Sequence, residues 1–219
     1  MKKIGVILSG CGVYDGSEIH EAVIALLAID RAGAEAVCMA PNVAQLHVVN
    51  HLSGEVDAKE HRNVLVEAAR IARGKIRDLG TVTAADLDAV ILPGGFGAAK
   101  NLSTFALAGA DCTLNPQVER LLQEMFAAKK PIGALCISPV VLARALGKAA
   151  PITVTIGNDT GTAAAIKATG ALHQNCPVRE FVIDREHKIV STPAYMLAGR
   201  ISEAADGIEK TVRAVLSLL

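Results

Sequence analysis

The sequence predicts an α/β sandwich built on a mostly parallel sheet. Short apolar runs of strand length alternate with helix-period segments along the whole chain. Hydrophobic residues make up 51% of the 219 positions and aromatics only 3%, so the core must be Val, Ile, Leu and Ala, the usual filling of a parallel sheet covered on both faces. The length suits one sizeable core, and no linker, repeat or composition shift marks a second, so residues 1–219 read as a single domain.

The elements follow in order. Lys3 to Leu8 is an apolar strand. Ser17 to Ala32 has helical spacing, with Ser17 in the N-cap position and Gly33 closing the C-terminus. Ala34 to Met39 is a second strand, ended by Pro41. Residues 42–59 form an irregular insertion, and Arg62 to Arg73 returns to a helical period through Val64, Leu65, Ala68 and Ile71. Ala89 to Leu92 is a buried strand stopped by Pro93-Gly94-Gly95. Leu114 to Ala128 is an amphipathic helix, Ile132 to Leu135 a strand, and Ile137 to Leu146 a helix directly after it. Ile152 to Ile156, Glu180 to Ile183 and Lys188 to Val190 are further strands; Thr160 to Ala168 and Ala198 to Leu218 are helices.

Composition also excludes function classes. Lys plus Arg and Asp plus Glu each number 22, and no basic stretch stands out, so neither nucleic acid nor membrane is an expected partner. The apolar run after Lys2 and Lys3 is too short for a signal peptide, and no other run approaches membrane-spanning length. Five cysteines, odd in number and without CxxC spacing, argue against a disulfide framework and a thiolate zinc site. A reducing cytoplasmic setting is expected, with no metal. His47, His51, His61, His173 and His187 lack ligand spacing and read as surface residues.

In open parallel sheets, ligands bind beyond the carboxyl ends of the strands. Three such ends carry distinctive residues: Ser9-Gly10-Cys11-Gly12, Pro93 to Gly97, and Leu135-Cys136-Ile137-Ser138-Pro139. The third is the sharpest. A strand runs straight into Cys136 and a helix follows with no loop between, which forces a tight turn with the side chain at its apex, the geometry of a nucleophile elbow. Ala134 and Ser138 are small enough for the turn, and Pro139 suits a first helical position. The helix start is expected to lower the Cys136 pKa. Gly94 and Gly95, with the amide of Ile137, are candidate oxyanion donors, although a plain tight turn uses glycine as readily. Glu18 and Glu21 open a very apolar helix whose start faces the same sheet edge. Either is a candidate base, against the simpler role of partner to the helix dipole. Cys11 ranks behind Cys136, because glycines rather than a helix start surround it; Cys38 reads as core. Gly10-x-Gly12 loosely suggests a dinucleotide turn, but the second strand ends without the acid that would hold a ribose, and no cofactor is expected.

The opening Lys2 to Glu21, the stretch Ile91 to Ser103, and Thr192-Pro-Ala-Tyr-Met-Leu-Ala198 together closely resemble bacterial glyoxalases in the PfpI-like branch of the class I glutamine amidotransferase-like superfamily. The resemblance covers essentially the whole chain. It implies a flavodoxin-like three-layer sandwich, a homodimer, and cofactor-independent conversion of a small dicarbonyl, glyoxal, to glycolate. It places the nucleophile on Cys136, the contacting glutamate on Glu21 with Glu18 one turn earlier, and the oxyanion donors on Gly94 and Gly95. Relatives have also been linked to isoprenoid biosynthesis and to protein deglycation. One departure matters. Thr155-Ile156-Gly157-Asn158-Asp159 has no histidine where amidotransferases carry one, which weighs against a Cys-His-Glu triad and glutaminase activity. A thiol-based stress sensor or binding protein, with Cys136 oxidised to sulfinate, is the alternative of a different class.

Overall fold

The computed structural model describes all 219 residues. Its first half runs β1 (Lys3–Ile7), α1 (Ile19–Arg31), β2 (Glu35–Ala40), α2 (Val64–Ile71), β3 (Arg77–Asp78), β4 (Ala89–Leu92), α3 (Phe96–Lys100) and α4 (Phe105–Ala108). Then come α5 (Pro116–Ala127), β5 (Ile132–Leu135), α6 (Pro139–Leu146), β6 (Thr153–Val154), α7 (Thr160–Ala168) and β7 (Leu172–His173). The chain closes with β8 (Val182–Asp184), β9 (Ile189–Thr192) and α8 (Ile201–Ser217).

Seven strands form one sheet in the order β3-β2-β1-β4-β5-β9-β8. All neighbours pair in parallel except β8 with β9 at the edge. β6 and β7 make a separate parallel pair. Alternation along the strands divides the core in two. Ile7, Val90, Leu92 and Ile132 point to a cluster completed by α5 and α6. Ile4, Val6, Ile91 and Val190 point to one completed by α1, α2 and α8. Residues one apart on a strand face opposite sides, so strands apolar at every position require helices on both faces. The result is a three-layer sandwich with a mostly parallel, flavodoxin-like sheet.

Some boundaries differ from expectation for physical reasons. The N-cap of α1 is Glu18, not Ser17: the Glu18 carboxylate accepts from Glu21 N at 2.7 Å, while the buried Ser17 hydroxyl accepts from Ser9 N at 2.8 Å. The elbow helix starts at Pro139 rather than Ile137, because the chain still turns through Cys136. Helices α3 and α4 and the two-residue strands β3 and β7 fall in stretches too short to show a period.

Three of the five histidines read as surface groups are tied into the fold. His187 Nδ1 lies 2.8 Å from Asp184 Oδ2, His173 Nε2 accepts from Ile156 N, and His51 Nε2 accepts from Tyr14 N. The glycine turn after β1 is packed under two side chains. A Cβ at Gly10 would meet the Gln45 side chain at 2.9 Å, and one at Gly12 would meet the His51 ring at 2.6 Å.

Candidate active site

The carboxyl ends of β1, β4, β5 and β9 converge on Cys136. Its φ is +59°, in the left-handed region that a non-glycine residue adopts only where the surroundings impose it. They do so here. Cys136 N donates to Thr192 O at 3.0 Å, and Ser138 N to Leu135 O at 2.9 Å. The buried Ser138 hydroxyl donates to Pro93 O at 2.6 Å, which ties the elbow to the glycine turn after β4. The elbow read from the sequence is therefore present in its geometry.

Glu21 meets the cysteine from α1. It is completely buried, and its carboxylate accepts from Gly94 N at 2.8 Å and Tyr195 N at 3.2 Å. Burial pushes its pKa up to about 7, against the lowering effect of those two N–H groups and of Cys136. Glu18, one turn earlier, spends one carboxylate oxygen on the helix cap and lines the cavity above the cysteine. Of the two acids, Glu21 faces the sulfur.

Two expectations change. Gly94 donates its N–H to Glu21, so the amides that reach the Cys136 sulfur are those of Gly95 and Ile137. The thiol is not lowered either. Burial, and then the neighbouring Glu21 charge, raise Cys136 well above the ordinary cysteine range. The helix start does not compensate, because Pro139 supplies no N–H and Ser138 N is already bonded within the turn. The pair thus holds its proton tightly, and ionisation of one partner opposes ionisation of the other.

Close packing explains the glycines. A Cβ at Gly94 would lie 2.4 Å from Cys136 Cβ and 2.7 Å from Glu21 Oε2. Gly95, at φ +94°, would drive a Cβ to 2.3 Å from Glu18 N. The β4 turn is clipped to the loop after β1 by main-chain bonds: Glu18 N to Gly94 O at 2.9 Å, Phe96 N to Val13 O at 2.8 Å and Gly97 N to Gly16 O at 2.8 Å.

Above the sulfur opens a cavity of about 460 Å³. Nine of its eleven lining residues are hydrophobic, including Val13, Phe96, Phe105, Ile137, Tyr195 and Met196, and Glu18 is the one charged type among them. Tyr195 was not singled out as a site residue from the sequence. Its amide holds Glu21, and its phenol pairs with His20 Nδ1 at 2.7 Å. Its position just beyond the carboxyl end of β9 is the signal that points to it. Cys11 lies apart, partly exposed, in a groove between α1 and α2. All five cysteines are free thiols.

A cysteine on a strained strand-to-helix turn, a buried glutamate beside it and main-chain donors at the sulfur define a thiol site of the amidotransferase-like kind without its histidine. The chain belongs to the DJ-1/PfpI family, whose pattern it matches over residues 11–163. It is 49% identical to the rat ES1 protein homolog, mitochondrial, covering 99% of this chain and 84% of that one. It is 50% identical to the human glutamine amidotransferase-like class 1 domain-containing protein 3, mitochondrial, covering 99% and 83%. A crystal structure of an isoprenoid biosynthesis protein with amidotransferase-like domain from Ehrlichia chaffeensis superposes with a TM-score of 0.92 at 38% identity, covering 99% of this chain and all of that one.

Proposed function

We propose that the chain is a glutathione-independent glyoxalase, of the type of the bacterial glyoxalase ElbB, that converts glyoxal to glycolate. The observation that carries this reading is the buried contact between Cys136 on its elbow and Glu21. A thiol and a carboxylate able to exchange a proton are what an internal redox shift on a dicarbonyl requires.

Glu21 takes the thiol proton as Sγ attacks one aldehyde carbon. The oxygen that gains charge is met by the amides of Gly95 and Ile137 and is then protonated, giving a hemithioacetal. Glu21, ionised again, removes the hydrogen on the attacked carbon. The resulting enediol gains a proton at the neighbouring carbon and collapses to a thioester of glycolate. Water cleaves the thioester and restores the thiol. One carbon is oxidised and the other reduced, so no external electron acceptor enters. Five free thiols suit a reducing compartment, and the homodimer that the family resemblance implies goes with this reading.

Product analysis after glyoxal incubation tests the reading. Glycolate should form with wild-type protein and fall by at least about a thousandfold with Cys136→Ser. Undiminished turnover in Cys136→Ser would overturn it; undiminished turnover in Glu21→Gln would move the base elsewhere.

A further inference from the structure

The cavity over Cys136 is oversized for glyoxal and has the wrong walls for it. At about 460 Å³ it has room for roughly fifteen waters, whereas the four heavy atoms of glyoxal displace about two. A site shaped for glyoxal alone would close on it, since exclusion of water strengthens every polar interaction at the reacting carbons. Here the polar groups are concentrated at one place, where Cys136, Gly95, Ile137 and the Glu21 carboxylate meet. Most of the rest is apolar: Phe96 and Ala99 from α3, Phe105 and Ala106 from α4, Val13 from the first loop and Met196 beyond β9, with Glu18 and Tyr195, whose phenol is paired with His20, as the polar exceptions. No Lys, Arg or His is among the lining residues, and Glu18 contributes a carboxyl. Such a wall gives a phosphate or carboxylate substituent nothing to pair with and sets an acid against it.

We propose that the preferred substrate is an uncharged α-oxoaldehyde carrying an apolar alkyl or aryl substituent of several carbons, with the dicarbonyl at Cys136 and the substituent against the α3 and α4 wall. This rests on the glyoxalase reading of the chemistry and moves the preferred substrate from glyoxal to larger homologues. The chemistry is unchanged. Sγ adds to the aldehyde carbon, which is oxidised to the thioester; the neighbouring ketone carbon gains the hydrogen and is reduced to an alcohol; water releases a 2-hydroxy acid and the thiol. The product carries a carboxylate that the substrate lacked, and the acid-bearing, cation-free wall favours its departure.

Measured kcat/KM for glyoxal, methylglyoxal and straight-chain alkylglyoxals of increasing length should rise by up to about fourfold per methylene until the cavity is filled. Ala106→Asp, at an exposed position of the wall, should reduce the ratio of long-chain to short-chain kcat/KM about tenfold or more. A second readout needs no turnover. The rate at which Cys136 is alkylated by N-ethylmaleimide and by N-heptylmaleimide, located by peptide mass spectrometry and corrected for each reagent's rate with a free thiol, should favour the longer reagent. Turnover with flat or falling chain-length dependence overturns this inference and leaves the glyoxalase reading standing. Absence of turnover on every dicarbonyl, with faster alkylation by the heptyl reagent, overturns the glyoxalase reading and supports apolar recognition at Cys136. Absence of both overturns both.

Discussion

Gly94→Ala probes the packing of the candidate site with one methyl group. The new Cβ would sit 2.4 Å from Cys136 Cβ, 3.0 Å from its Sγ and 2.7 Å from Glu21 Oε2. The first of these is more than about 1 Å inside ordinary carbon–carbon contact. Neither neighbour yields easily: Cys136 is fixed by the elbow, and Glu21 is buried and held by two main-chain N–H groups. Overpacking of this kind costs about 1–3 kcal/mol, and loss of the Gly94–Glu21 bond puts the expected value at the upper end, about 3 kcal/mol. On the proposed mechanism, a displacement of about 1 Å between Cys136 and Glu21 should also lower glyoxal turnover about a hundredfold. Urea denaturation reads the first effect and initial rates the second. Gly161→Ala is the control. Its Cβ would meet nothing nearer than Asp159 Oδ1 at 3.6 Å, and in helix α7 it should gain up to about 1 kcal/mol. If Gly94→Ala matched wild type in both stability and rate, the close approach of turn, thiol and carboxylate would be wrong.

Four further outcomes are expected. Glyoxal kcat/KM should rise with pH through about 7, because Glu21 must lose its proton before it can take the thiol's; a profile flat from pH 5 to 9 would remove Glu21 from that role. The same shift governs stability. Glu21 stays protonated in the fold up to about pH 7 but ionises near 4.5 when unfolded, so its contribution is complete below pH 4.5 and is lost as pH rises through 7, amounting to about 3 kcal/mol. Denaturation curves at pH 5 and pH 8 should therefore lie closer together for Glu21→Gln than for wild type. Ser138→Ala should cost about 1–2 kcal/mol in urea denaturation by leaving Pro93 O unpaired in the core. Tyr195→Phe should leave the pH midpoint of turnover near 7, since Tyr195 holds Glu21 through its amide rather than its phenol; a moved midpoint would mean that the phenol also bears on Glu21.

The elbow was legible because it is local. A buried strand and a helix separated by only the three-residue turn Cys136 to Ser138 leave one geometry for Cys136, and that geometry is written in consecutive residues. Glu21 was legible as a candidate because an acid at the start of an apolar helix must be either solvated or enclosed. What holds Glu21 was not legible. Tyr195 N comes from 174 positions away and Gly94 N from 73, and every non-proline residue supplies an amide. The thiol's raised pKa was missed for a related reason. Proximity to a helix start was visible in the sequence, but the degree of burial and the facing carboxylate belong to tertiary structure. The cavity walls escaped because α3 and α4, at five and four residues, are shorter than two helical turns and leave no hydrophobic period to detect.

The bonds between the β1 loop and the β4 turn have a consequence for how such a site can diversify. Gly95 and Gly97 meet the main chain of the β1 loop across that seam, at 2.3 Å from Glu18 N and 2.6 Å from Gly16 C, distances no side chain tolerates. Each stands against atoms that every residue carries, so a change on one strand of the seam has no compensating change on the other. Chemistry is thereby locked into the seam and the elbow. The walls formed by α4 and by residues beyond β9 are bounded by side chains, which can be exchanged one at a time. Variation among proteins built this way should therefore alter what is admitted long before it alters what is done to it.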